Sequence, residues 1–262
     1  MNARKVAAGV QHREQRTYYI RVGTQSREAN RDKLERLFQQ RGGFHLELRP
    51  VSGSSISDLD IRRLQDYFSR VRNQDIPEEN DEEGWKTLLT NTEFLHQGGD
   101  SNPCTVAAIL LFGRNPHRFL PQSAVDCAAY AGKEKDYAAV ERVTARGPLL
   151  GLFTPKGERI ELLEAGGVEQ AVSFVKRNMG TTAALLSGAV RRDRPTYPEE
   201  VIREGVVNAV VHRDYPLSST DVELSIYSDR IEIISPGRLP NGITTDRMRV
   251  GCRSARNQLV KD

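Results

Sequence analysis

The sequence predicts an α+β protein, a mixed α/β chain, and three observations carry that reading. Residues 197–215 have a helical pattern with a narrow polar stripe. Residues 221–227 and 230–234 alternate as strands do, with Ser228 and Asp229 between them, the connection length of a β-hairpin. Further upstream, segments of strand period and of helical period follow one another along the chain.

The helix of 197–215 has clear ends. Pro198 suits a first turn, where its missing N–H has no helical partner. Glu199 and Glu200 lie at the positive end of the helix dipole. Pro216 stops the helix by forcing the residue before it out of the α region. At 100° per residue, Glu204, Asn208 and His212 fall at i, i+4 and i+8 on one line. Ile202, Val206, Ala209 and Val210 lie on the opposite side, which predicts a mostly buried helix. A carboxylate and an amide on such a helix need partners. Gly205, beside the stripe, leaves room for a ligand or a backbone to approach. Two readings stand at this point: polar residues of a core helix that cap a neighbouring loop, or a ligand-binding face.

In chain order, residues 1–16 form a polar, basic lead-in, and Thr17–Gly23 reads as a strand. Asn30 caps a helix over 31–41 that stops at Gly42. Phe44, Leu46 and Leu48 alternate with His45, Glu47 and Arg49, a strand with one wet face on which His45 is a surface residue. Ser57 caps the next helix with Asp60 at its third position. Ile61, Leu64, Phe68 and Val71 form the buried stripe of that helix; Arg62, Arg63, Arg70 and Arg72 line its solvated outside. Residues 77–84 are an acidic linker or helix start, followed by a short helix around Trp85, Leu88 and Leu89. A turn over 95–103 leads into 105–112, a buried run whose period fits helix or strand. Ala124–Tyr130 reads as a strand, 133–151 as loop with some helix, and 158–177 as helix with Gly166 and Gly167 inside it. Residues 185–192 read as a strand leading into the helix of 197–215, and 235–242 as a rigid Gly/Pro loop leaving the hairpin, placed to face the polar stripe.

Composition narrows the function classes. The chain has 262 residues, 38% hydrophobic and 28% charged, which is globular and long enough for two small domains or one large one. A net charge of +3 permits nucleic-acid binding without arguing for it. Cys104, Cys127 and Cys252 are widely spaced, form no metal pattern, and read as reduced, buried thiols. No apolar run reaches membrane-spanning length and the amino end has no signal-peptide core, so a cytoplasmic protein is expected. There is no Gly-x-x-x-x-Gly-Lys-Ser/Thr loop, which removes a P-loop helicase, and no Gly-x-Gly-x-x-Gly for a dinucleotide. No Gly-x-Ser-x-Gly or His-Glu-x-x-His is found. His212-Arg213-Asp214 copies part of a kinase catalytic loop, but Ser219 stands at the asparagine position and the other kinase parts are missing.

Glu204 and Asn208 four apart on a helix, followed by a hairpin and a Gly-containing loop, resemble the nucleotide site of the GHKL ATPases. The run 203–215, the run Ser235–Thr244 and the segment Arg253-Ser254-Ala255-Arg256-Asn257 are similar to the carboxy-terminal domain of Schlafen AlbA-type bacterial transcriptional regulators, often labelled RecG-like helicases. Residues 18–23 and 34–38 resemble the last strand and helix of the AlbA-type nucleic-acid-binding domain, and 107–116 resembles the middle region. The resemblance implies three parts: 1–50 as the end of an AlbA-type domain, 51–180 as a middle α/β region, and 181–262 as a GHKL-like α/β sandwich. It implies ATP and Mg²⁺ as cofactors, Asn208 as the Mg²⁺ ligand, Glu204 as the base that orients water, and Gly205, Gly237 and Gly242 beside the nucleotide. His212, Arg213 and Asp214 become a structural corner. Nucleotide is the expected partner, with DNA or RNA and a second copy of the chain beside it, and no membrane.

The chain departs from that pattern. Most of the AlbA-type domain would precede residue 1, and the family continues beyond residue 262. Ser235, Arg238 and Gln258 stand where Asn, Gly and Pro are usual, and no Asp-x-Gly-x-Gly supplies a carboxylate for adenine. Two alternatives therefore stand beside an ATP-binding regulator. One is a degenerate module of the same fold that binds protein or DNA without ATP. The other is a DNA-binding factor using 57–113 as a winged-helix-like unit.

Overall fold

The computed structural model describes residues 18–22, 24–29, 45–98, 102–156, 159–186, 197–218, 220–237 and 257–261. They belong to two compact units, 1–45 and 46–262. In the first, β1 (Tyr19–Val22) pairs antiparallel with β2 (Gln25–Glu28). The strand expected at 17–23 is there, while its partner, the polar Gln-Ser-Arg-Glu, has no apolar alternation to announce it. The helix expected over 31–41 lies outside the described residues.

The second unit is α+β. It opens with a 3-10 turn at Leu46–Leu48 where alternation predicts a strand. Leu46 and Glu47 are both buried there, so the period-2 pattern does not divide a wet face from a dry one; His45 is exposed as expected. A second 3-10 turn, Ile56–Asp58, is capped by Ser55, whose N–H donates to Asp58 Oδ2 at 2.9 Å. Asp60, rather than Ser57, then caps α1 (Ile61–Asp66), accepting from the Arg62 N–H at 3.1 Å. The expected faces of this helix need correction at two positions, one on the outside and one on the buried stripe. Arg63 is buried, ion-paired to Asp60 and bonded to the Leu150 carbonyl at 3.1 Å. Val71 is 51% exposed because Tyr67–Val71 is a π turn; the wider turn rotates Val71 off the face that buries Leu64 and Phe68.

Next come α2 (Glu82–Asn91), α3 (Val106–Phe112) and the short α4 (Pro116–Phe119). All seven residues of α3 are buried, which is why its sequence has no period to read. Around it Tyr67, Phe68, Phe94 and Phe112 pack edge-on at 5.1–6.1 Å between ring centroids. Cys104 and Cys127 are free and buried, and burial pushes both thiols up to about 12, so neither is a nucleophile at neutral pH.

Four strands form the central sheet: β3 (Val125–Ala129), β4 (Glu141–Ala145), β7 (Val222–Ile226) and β8 (Ile231–Ile234), in the order β4-β3-β7-β8. β3 and β7 are parallel; the outer pairs are antiparallel. The hairpin predicted at 221–234 is β7–β8. Strand β4 replaces the loop expected at 133–151. Strands from both sides of residue 181 thus share one sheet. Between them, β5 (Leu152–Lys156) and β6 (Arg159–Glu164) form a separate antiparallel ribbon, and α5 runs from Gly167 to Leu186. The two glycines expected inside a helix stand at its start. A Cβ on Gly166 would lie 2.4 Å from the Leu150 carbonyl carbon, so the chain can pass there only without a side chain. Leu185 and Leu186 end α5; the rest of the strand expected at 185–192 lies outside the described residues.

Helices α5 and α6 (Glu199–Val211) pack together over one face of the sheet. Val125, Cys127, Val222, Leu224 and Ile226 point into that layer and are buried. Arg203 of α6 ties the helices, donating to the buried Glu169 at 2.7 Å. The last described element, α7 (Gln258–Lys261), touches α3 and α6.

Candidate functional site

Helix α6 starts after Pro198, whose extended backbone makes it the N-cap, and ends at His212. Ile202, Val206, Ala209, Val210 and Val211 are buried against the sheet and its neighbours. The polar stripe is not buried, however. Glu204 and Asn208 are exposed, and Val201 is 56% exposed on the same outer side. The expectation of a helix buried apart from its stripe is corrected to an amphipathic helix with one wet face. Solvent and one hydrogen bond satisfy the pair: Asn208 Nδ2 donates to Glu204 Oε1 at 2.8 Å, one turn apart. With its amino group so engaged, the Asn208 amide presents Oδ1 as its acceptor. The third stripe residue, His212, is half-buried, and its N–H donates to the Asn208 carbonyl at 2.9 Å as the helix ends.

The glycines are placed differently from one another. A Cβ on Gly205 would sit 2.9 Å from Ile233 Cδ1, so what approaches this glycine is the tip of a β8 side chain. Gly237 has φ +129°, a conformation that L side chains rarely adopt, and a Cβ there would lie 2.6 Å from Asp214 Cβ. Gly242 lies outside the described residues. The start of the 235–242 loop is fastened to the end of α6: Ser235 Oγ donates to the Ala209 carbonyl at 2.7 Å, and the Asp214 N–H donates to the Pro236 carbonyl at 2.9 Å.

Immediately after α6 the chemistry changes from exposed to buried. Arg213 is 1% exposed. Its Nη2 donates to the Leu217 carbonyl at 2.9 Å and to the Thr220 carbonyl, tying down the loop that leads to β7. Burial pulls the Arg213 guanidinium below its usual value, while Tyr215, Asp221 and Asp214 act in the opposite sense. Tyr215 donates its hydroxyl to the Val210 carbonyl at 3.2 Å, and burial pushes that phenol well up. Gln122 donates to the Tyr215 carbonyl at 2.6 Å. From the far end of the chain, the buried Asn257 donates through Nδ2 to the carbonyls of Val211 at 2.8 Å and Arg213 at 3.0 Å. It therefore supplies the acceptors at the helix C-terminus with their donor. The structural corner expected of His212-Arg213-Asp214 is built this way. Asn257 is a further member that local pattern does not reveal; its one signal in the sequence is the Arg-Asn segment of the resemblance.

Known proteins bear on the carboxy-terminal part. A family model described as "Putative ATP-dependent DNA helicase recG C-terminal" matches residues 219–262. That stretch is RecG-C-terminal-like, and an ATPase-like region is indicated there. The match takes in the β7–β8 hairpin, Gly237 and Asn257, and begins eleven residues after Asn208 (219 − 208 = 11). No curated protein matches the chain. Among solved structures, the chain is similar to the DIP2311 protein from Corynebacterium diphtheriae, with 18% identity and a TM-score of 0.46, over 93% of this chain and 43% of that one. The chain spans less than half the length of that protein. Among the described residues, no helix is long and apolar enough to cross a membrane.

Proposed function

We propose that the carboxy-terminal part of this chain binds a purine nucleoside triphosphate with Mg²⁺ on the outer face of α6, in a regulator whose amino-terminal unit is of the AlbA nucleic-acid-binding type. The observation that carries this reading is the exposed Glu204–Asn208 pair, bonded at 2.8 Å on a helix that runs into a RecG-C-terminal-like stretch. The donors fit Mg²⁺: an amide oxygen and a carboxylate, both hard oxygen ligands and both open to water, suit a cation that keeps several waters. Asn208 Oδ1 is the protein ligand in this reading. The bound cation supplies charge neutralisation of the phosphate oxygens. Glu204 stands one turn earlier, within reach of a water at that position, and its carboxylate orients that water or accepts its proton. The Asn208 amino group holds Glu204 in place. Gly237 borders the nucleotide from the loop in this reading, and Gly205 keeps α6 close to β8.

The test is a thermal-shift titration of the chain with Mg-ATP, Mg-ADP and Mg-GTP, on wild type and Asn208→Ala. A bound nucleotide at a hundredfold excess over Kd stabilises the folded state by about 2.7 kcal/mol. The expected result is a shift with at least one nucleotide that Asn208→Ala abolishes. No shift with any of them, or an equal shift in the variant, overturns the proposal.

One observation favours a second reading, a module of the same fold that works without ATP. Ser235 stands where an adenine-reading carboxylate would follow the strand, and its hydroxyl is committed to the Ala209 carbonyl. That module binds nucleic acid or protein instead. Fluorescence anisotropy with duplex DNA checks it: affinity through phosphate contacts falls steeply with salt, and a flat response removes nucleic acid as the partner.

A further inference from the structure

The nucleotide reading uses only the helix-covered face of the central sheet. The other face is a separate surface, and the strand register describes it. Three cross-strand rows run over it. The middle row is Arg142, Ala128, Ser225 and Glu232. Its two central residues are small, so the sheet surface dips there. On one side the neighbouring row brings Thr144, Asp126 and Glu223 together. On the other, just past the strand ends, Tyr130 and Tyr227 stack with ring centroids 5.3 Å apart and planes 15° apart. The dip between them is a cleft of about 340 Å³, with Lys135 at its edge.

The charges in this cleft are not all spent on one another. Lys135 Nζ lies 2.9 Å from Glu223 Oε2, a closed pair. Asp126 is exposed, accepts the Thr144 hydroxyl at 2.8 Å, and has no ion-pair partner among the described residues. Arg142 is exposed too; it donates to the Asp136 carbonyl at 3.3 Å, lies 5.8 Å from the Tyr130 ring centroid, and has no carboxylate partner among the described residues. Tyr130 lines the cleft and is 1% exposed, and its hydroxyl has no hydrogen-bond partner among the described residues. Buried hydroxyls are ordinarily satisfied, so this one marks a position where a polar group belongs.

Register fixes the distance between the open charges. Asp126 pairs with Thr144 and Ala128 with Arg142, so Asp126 and Arg142 are diagonal neighbours, about 7–8 Å apart at the backbone. Two carboxylates and two cations line the cleft, a net charge of zero. A phosphate would set its charge against Asp126 and Glu223, and a polyamine would set its own against Arg142 and Lys135. A small molecule carrying both signs a few ångströms apart satisfies both ends at once. We infer that this cleft binds a free α-amino acid, with its ammonium on Asp126, its carboxylate on Arg142, and the Tyr130 hydroxyl as a further hydrogen-bond donor. The small floor at Ala128 and Ser225 leaves room for the side chain.

Thermal-shift and calorimetric titration of the full chain with each common L-amino acid tests this, with inorganic phosphate and putrescine as ligands of a single sign. At least one amino acid raises Tm and neither control does. Asp126→Asn and Arg142→Gln, both at exposed positions, each weaken its Kd about tenfold or more, the loss of one charge-assisted contact. Tyr130→Phe weakens it as well, while Asn208→Ala leaves it unchanged, so this inference and the nucleotide reading stand or fall separately. No response to any amino acid overturns the inference. So does a response to phosphate alone that Asp126→Asn retains, because a site of that kind reads a single negative charge.

Discussion

Two stretches less than twenty residues apart, the Glu204–Asn208 stripe and the corner that follows it, carry similar polar residues in opposite circumstances. The stripe faces water and holds itself with one hydrogen bond. The corner is buried and holds everything near it: Arg213 fixes the loop to β7, Asp214 fixes the loop after β8, and Asn257 closes the end of α6 from 46 residues away. Polar residues needed for the fold end up dry and multiply bonded, because an unpaired buried group is costly. Exposed polar residues keep their remaining acceptors reachable, which a ligand would require. The stripe is therefore the place to look for binding and the corner is the place to look for stability.

Substitutions separate the two roles. Arg213→Ala is expected to have the largest effect, a loss of about 3 kcal/mol in urea unfolding, since it empties the space of a side chain that is 1% exposed and removes the donor that ties the Leu217 and Thr220 carbonyls together. A loss no larger than that of a surface change would erase the distinction. Asn257→Ala comes next at about 2 kcal/mol, taking the side-chain donor from the Arg213 carbonyl and leaving the Val211 carbonyl with only the backbone N–H of residue 257. It also joins the chain's end to the helix, so a proteolysis assay should show earlier cleavage after Val211. Gly205→Ala sits between the regions. Its Cβ meets only the mobile tip of Ile233, and alanine's helix preference, about 1 kcal/mol over glycine, offsets the contact. A melting temperature within a few degrees of wild type is expected. Glu204→Gln and Asn208→Ala change stability least, by under about 0.5 kcal/mol, as exposed substitutions do. If either unfolds the protein in the same urea series, the stripe is structural after all and the nucleotide proposal loses its footing.

Several features are legible in the sequence. The β7–β8 hairpin follows from two alternating runs and a two-residue connection, and α6 from its proline and glutamate start and its apolar spacing. Period failed where both faces of an element are buried, as in α3, or where a local turn rephases the chain, as in the π turn that exposes Val71. Charge is no guide to solvation either: Arg63 is basic and buried because Asp60 and the Leu150 carbonyl receive its donors. The candidate site shows the same division. Sequence spacing put Glu204 and Asn208 on one line, since 3.6 residues per turn leaves no choice.

Sequence by itself determined which residues share a helix face, where the hairpin turns and where the helix must stop, because those are consequences of backbone period and of proline geometry. Only the tertiary structure decided which face is wet. Whether Glu204 meets water, whether Gly205 meets a side chain, and whether Asn257 reaches Val211 depend on what packs against each of them. Such contacts join residues far apart in the chain, and no local pattern encodes them. The open cleft on the far side of the sheet belongs to the same class. Asp126, Arg142 and Tyr130 are unremarkable in their own strands and loops, and become neighbours only when β3, β4 and β7 are laid in register.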